Sequence, residues 1–222
     1  MALKRYDQTL SLGVLFFAVQ LVDIAFFLFL ILGIENARLV PGFTEASFFD
    51  LYDLPFTHSL LGTLLWAIAS FSVFRYVVLR TSSKSDAEKT HTSLLIGIAV
   101  FSHYVVDFLV HTPDLLIIPG IDFKIGLGVW NFLLIALTLE AAFLVGGFLI
   151  YTYSTSSGTG FVSRYGMHLF ILVLIVGLLT FVTSSPPPGI DLQGLALGSE
   201  FFYLAFAGVA FWLDRARNPI NS

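Results

Sequence analysis

The sequence predicts an all-α protein: a polytopic membrane bundle of about six transmembrane helices, one domain over residues 1–222, with both termini cytoplasmic. Three observations predict it. Hydrophobic residues make up 57% of the chain and charged residues only 12%, about half the charged share of a soluble domain, and mean hydropathy is +0.88. Apolar runs recur at roughly the 20-residue length that crosses a hydrocarbon core, and they lack the period-two alternation of a membrane barrel. With six crossings, Lys4, Arg5, Arg75, Arg80, Lys84, Lys89, Arg164, Arg215 and Arg217 share one face, nine of the eleven basic residues. Basic residues are retained on the cytoplasmic side of a membrane protein, which orients the bundle.

The spans fall at roughly 10–33, 56–79, 93–111, 127–152, 166–184 and 195–213. The first carries Asp23 and is followed by no small-residue cleavage site, so it reads as a retained helix rather than a signal peptide. The connection 34–55 contains Pro41-Gly42 and is too long for a minimal turn. Pro55 suits a helix start, which places Thr57, His58 and Ser59 in the first turns of the second span. Thr81–Thr90 is rich in Ser and charge and reads as a solvated connector. The connection 112–126, with Pro113 and Pro119-Gly120, is again long. Pro186-Pro187-Pro188 stops the fifth span, because proline supplies no amide donor and restricts its predecessor. The outer face carries Glu35, Glu45, Asp50, Asp53, Asp114, Asp122 and Asp191, with only Arg38 and Lys124 as cations. The chain has no cysteine, which excludes disulfides and thiolate metal sites.

The chemistry concentrates in His103-Tyr-Val-Val-Asp107-Phe-Leu-Val-His111-Thr-Pro-Asp114. At about 100° per residue these four ionisable side chains fall within roughly 80° of one another on a helix. Ionisable groups in a membrane helix are costly and default to a functional reading. Span two starts on the outer face and span three ends there, so His58 lies level with His103, Asp107 and His111. Three histidines and a carboxylate at one depth have the composition of a zinc, manganese or iron site. Polar side chains in membrane helices also serve simply to bond a neighbouring helix, for about 0.6 kcal/mol each. His103 and Asp107 are equally readable as one pair in which the carboxylate orients the imidazole. Asp23 and Glu140 are the remaining membrane acids, either neutral in the bilayer or supplying a further ligand or a general base. Glu200 reads as interfacial, as do His91 and His168. Trp66, Trp130 and Trp212 read as lipid-facing or core groups.

These residues also carry a resemblance. Leu21-Val-Asp23, Gly33-Ile-Glu35 with Pro41-Gly42-Phe-Thr44, Pro55-Phe-Thr-His58-Ser59-Leu60, Ser102-His103-Tyr-Val-Val-Asp107 and His111-Thr-Pro-Asp114 form the first part. Lys124-Ile-Gly126-Leu-Gly128-Val-Trp130-Asn131, Glu140 and the three prolines complete it. In motif order, from about residue 11 to 190, the chain resembles a family of small bacterial integral membrane proteins labelled permease-like or membrane-bound metal-dependent hydrolases. More distantly it is similar to YdjM-type inner-membrane hydrolases, which share a Thr-His-Ser element and a later His-x-x-x-Asp. Such proteins commonly start with a further apolar segment bearing a Gly-His element, whereas this sequence starts Met1-Ala-Leu-Lys4-Arg5.

The resemblance implies a metal-dependent hydrolase in the bacterial cytoplasmic membrane, with His58, His103 and Asp107 foremost in the metal site and His111 and Asp114 close behind. Lipid phosphoesters are the substrates the distant similarity suggests. The leading expectation is one divalent metal held by His58, His103, Asp107 and His111, with Asp114 or Glu140 as proton acceptor at the outer membrane–water boundary. Two other classes stay open. One is a transporter or proton conductor using Asp23, Asp107 and Glu140 as a relay; the other is a non-catalytic accessory subunit of a larger membrane assembly. The expected partners are the lipid bilayer and a membrane protein, with no nucleic acid.

Overall fold

A computed structural model describes residues 1–184 and 191–220. Six helices account for most of it: α1 (Leu12–Ile31), α2 (Leu60–Val73, continued by a π-helical stretch Phe74–Val78), α3 (Asp86–Val110), α4 (Leu133–Ser154), α5 (Phe161–Thr183) and α6 (Leu192–Asp214). All six are long and apolar enough to cross a membrane, and the chain is an integral membrane protein of the all-α class. The expected proline break at 186–188 lies outside the described residues.

Helix α1 is apolar on every face apart from Gln20 and Asp23, as suits a central helix. It packs most extensively against α6 on one side and α3 on the other, and α3 in turn covers α2. Small residues let these backbones approach, the usual means of helix association in lipid. Ala18 of α1, Ala67 of α2 and Ala99 of α3 sit with Leu15, Val22, Ile96 and Val100 in one buried cluster. Helices α4 and α5 are packed more sparsely; of the 22 residues of α4 only Ala136, Tyr151 and Ser154 are buried.

The two ends of the bundle are built differently. At one end Lys4 donates to Asp214 (2.7 Å) and to the Leu10 carbonyl (2.7 Å). Asp214 also accepts from the Leu12 amide and the Tyr151 hydroxyl, each at 2.9 Å. Strands β5 (Thr155–Ser157) and β6 (Arg217–Pro219) pair antiparallel beside them. These contacts bring both chain termini to the same end, hereafter the terminal end.

The opposite end carries two antiparallel hairpins that the sequence did not suggest: β1 (Asn36–Leu39) with β2 (Phe49–Asp53), and β3 (Leu115–Leu116) with β4 (Lys124–Ile125). Lys124 donates to the Tyr52 carbonyl (3.0 Å), and the Ala46 amide donates to the Trp130 carbonyl (3.0 Å), tying the two long connections together.

Two boundaries differ from the sequence reading in ways that matter. Helix α3 starts at Asp86, inside the segment read as a solvated connector, because Ser85 and Glu88 form a reciprocal capping box. Helix α2 starts at Leu60 with Ser59 as its N-cap, so Thr57 and His58 precede the helix instead of lying in its first turns. Their backbone is therefore free to bond elsewhere, with consequences for the site.

Candidate functional site

The site forms where the middle of α1 and the hairpin-end third of α3 meet the bent segment before α2. Glu35, fully buried just beyond α1, organises that segment. Its carboxylate accepts from the amides of Phe56 (2.7 Å) and Thr57 (2.9 Å) and from the Thr57 hydroxyl (2.6 Å). Those amides are available because the chain there is not helical.

The proton inventory then fixes His58. A threonine hydroxyl has one proton, and Thr57 gives it to Glu35. The 2.8 Å contact between the Thr57 hydroxyl and His58 Nδ1 must therefore be an Nδ1–H donation to the oxygen. Neutral His58 consequently turns a bare Nε2 lone pair inward, held in place by Phe26 edge-on to its ring at 5.4 Å. That lone pair faces Asp23 Oδ1 at 3.2 Å and Asp107 Oδ2 at 3.8 Å. Two acceptors at such distances need a positive group between them.

His103 closes the ring. Its Nε2 lies 3.3 Å from Asp23 Oδ1 and 3.1 Å from Asp107 Oδ2. The second contact is within ion-pair distance but misaligned for a hydrogen bond, and both His103 Nε2 and Asp107 Oδ2 are buried without a hydrogen-bond partner. Imidazoles and carboxylates thus alternate around a small space with successive atoms 3.1, 3.2, 3.3 and 3.8 Å apart. Metal–ligand bonds of about 2.0–2.1 Å in a tetrahedron place neighbouring ligand atoms about 3.3 Å apart. Asp23, His58 and His103 by themselves offer ligand atoms all within 4.8 Å of one another. The donor set fits a divalent cation.

Charge gives the same balance by two routes. Two carboxylates are neutralised either by two imidazolium protons or by one dication. Protons leave two buried polar atoms unbonded, at about 1–3 kcal/mol each, whereas a cation held by Asp23, His58 and His103 would engage His103 Nε2 and sit beside Asp107.

His111 stands at the C-cap of α3, its ring centre 6.2 Å from that of His58. Its Nδ1–H donates to Asp114 Oδ1 (3.0 Å), and its Nε2 lies 3.9 Å from Asp107 Oδ1. Asp107 therefore turns one oxygen to the ring and the other toward His111. Asp114 accepts also from the Thr112 hydroxyl at 2.9 Å. Trp130 stacks on His111 (4.6 Å between ring centres) and donates to Glu140 Oε1 at 3.3 Å. Glu140 thus reaches the cluster through the indole.

The structure therefore brings together His58, His103, Asp107, His111 and Asp114, with Asp23 added to the ring and Glu140 outside it. His111 lies beside the four-atom ring, bridged to it by Asp107, where the sequence reading had counted it among the ligands. His91 and His168 are exposed, and His168 packs edge-on against Phe148. The sequence reading missed the roles of Glu35, Thr57 and Trp130. It also missed Tyr203 of α6, whose ring packs on Phe27 of α1 at 6.0 Å between centres. Glu35 had a signal: an acid two residues beyond an apolar run that ends in glycine.

Fold and site together define an integral membrane six-helix protein with a buried histidine–carboxylate cluster at one end. Comparison with protein-family models, curated proteins and solved structures finds no match.

Proposed function

We propose that the protein is a metal-dependent hydrolase of the bacterial cytoplasmic membrane, with its site at the outer membrane–water boundary and lipid phosphoesters as its substrate class. The observation that carries the metal is the inward-facing His58 lone pair, opposed by two carboxylates in a ring whose His103 and Asp107 atoms lack hydrogen-bond partners. Asp23, His58, His103 and Asp107 hold the cation, which is zinc, manganese or iron by the hardness of these ligands. When bound it supplies Lewis acidity and a positive charge on an otherwise acidic face. Asp107 Oδ1, His111 and Asp114 form a chain that accepts a proton from the site and passes it toward the loops. Glu140 and Trp130 fix the His111 ring from its other side.

Orientation follows from charge. The terminal end carries Lys4, Arg5, Lys84, Arg215 and Arg217, whereas the hairpin end has Arg38 and Lys124. The positive-inside rule then turns the hairpin end, with the site, to the outside. The resemblance to membrane-bound hydrolases supports the reaction class.

Proton conduction is the weaker reading. Toward the terminal end the α1–α3 interface is filled largely by Leu15, Ala18, Val22, Ile96, Ala99 and Val100, and among the described residues no chain of carboxylates or histidines continues through it. The sparsely packed α4 favours, as a second reading, an accessory subunit that meets a membrane partner there.

Elemental analysis of the purified protein tests the proposal. About one divalent metal per chain is expected, lost in Asp23→Ala and His103→Ala together with hydrolysis of a phosphoester lipid. A metal-free protein whose thermal stability is indifferent to chelator and to His103→Ala would overturn it.

A further inference from the structure

The hairpin between α3 and α4 exposes what a water-facing loop should cover. At its tip Ile118, Ile121 and Phe123 are 42%, 55% and 59% exposed, Gly120 makes the turn at φ +84°, and exposed Asp122 between Ile121 and Phe123 limits the depth to the head-group boundary. The depth of this tip is set by a backbone bond: the Leu61 amide donates to the Ile117 carbonyl at 3.1 Å, and the Ile117 amide donates to Phe123 at 3.4 Å. Leu61 belongs to the first turn of the α2 span, whose exposed Leu61, Leu64, Leu65 and Ile68 face hydrocarbon. The tip is therefore level with the start of a membrane-spanning helix and extends its lipid-facing surface sideways.

We infer that the tip Ile118–Phe123 inserts into the outer leaflet, at the boundary between acyl chains and head groups. A segment at head-group depth keeps contact with water for part of its backbone, and the tip bonds internally through Ile117 to Phe123, Ile121 to Ile118 and Phe123 to Ile121. Apolar side chains buried at the boundary with polar groups above them are the arrangement of interfacial anchors. Lys124, next to Phe123, directs its ammonium away from the tip to the Tyr52 carbonyl, as a lysine at the boundary keeps its charge out of the acyl region. The occupant is lipid and not a protein, because the surface is continuous with the bilayer-facing side of α2. The feet of the hairpin rest on the site: the Gly128 amide donates to the His111 carbonyl (2.6 Å) and the Leu127 amide to the Phe108 carbonyl (2.8 Å). The inference stands whether or not the cluster holds metal.

The absence of cysteine makes the test clean. Ile118→Cys, Ile121→Cys and Phe123→Cys, each in the full chain in nanodiscs, are labelled with an environment-sensitive fluorophore. Leu65→Cys calibrates lipid exposure and Ser83→Cys calibrates water exposure. Tip labels are expected to show a blue-shifted emission and quenching by lipids brominated near the acyl carbonyl. Their quenching by iodide should be several-fold weaker than at Ser83→Cys. Iodide quenching equal to that of Ser83→Cys would overturn the inference. So would protection from both quenchers, which would mean that protein covers the tip.

Discussion

A threonine proton sets the character of the cluster. Because Glu35 takes the Thr57 proton, His58 keeps its own on Nδ1, and a neutral ring turns the Nε2 lone pair toward Asp23 and Asp107. Thr57→Val keeps the shape and removes that lock. Partners of this kind are worth about 10–100-fold in metal affinity, so a chelator competition titration should show a loss of that order with the fold unchanged by circular dichroism. A second residue-scale expectation concerns Asp7 at the other end. Burial opposes its ionisation, yet hydrogen bonds from Lys84, Thr9 and Thr92 outweigh this and hold its carboxyl well below its ordinary value. A carboxyl depressed on folding contributes stability that is present above the unfolded value near 4 and lost as pH falls through the folded one. The stability gap between wild type and Asp7→Asn, read from unfolding midpoints in detergent, should therefore be widest near neutrality and shrink below about pH 4. The histidines and Asp107 were legible as a stripe because helical spacing lines them up. Asp23 was left open because its partners come from other elements.

At the scale of elements, the start of α2 decides the site. Proline at 55 suits a first turn, but Ser59 caps the helix four residues later and leaves 55–58 as non-helical bends. Only in that form do the Phe56 and Thr57 amides reach Glu35. The capping box at Ser85 and Glu88 was readable as a motif, and the solvated look of 81–90 masked it. At the terminal end, Asp214 joins four parts of the chain through Lys4, Leu12 and Tyr151. Removing one partner of a buried ion pair strands the other, at about 3–5 kcal/mol. Asp214→Ala should lower thermal stability by an amount of that order, whereas exposed Asp86, whose pair with Arg75 lies at the surface, should cost under about 1 kcal/mol when replaced by alanine.

For the whole molecule, the division into a basic terminal end and an acidic hairpin end makes orientation the measurable quantity. In intact cells a membrane-impermeant maleimide should label Val40→Cys, and Ser83→Cys only after permeabilisation; the reverse pattern would place the cluster in the cytoplasm and remove the outer-boundary assignment. The same division explains why chemistry sits at one end. The terminal-end half of α1 and α3 spends most of its contacts on close apolar packing with small residues, its buried polar groups being Gln20 Oε1, Thr92 and Ser93. The hairpin end is built from long connections that bring backbone donors, acids and aromatic rings over the helix ends.

Hydropathy and charge by themselves determined the membrane class, six helices and the stripe on α3, because lipid solvation acts on each segment independently of its neighbours. Helical periodicity likewise put His103, Asp107 and His111 on one face. Only the tertiary structure decided that Asp23 from α1 and His58 from before α2 meet that face, that Glu35 fixes the His58 proton, and that Glu140 stands one indole away. Those facts depend on which helix packs against which and on where a cap stops a helix, and no local pattern carries either.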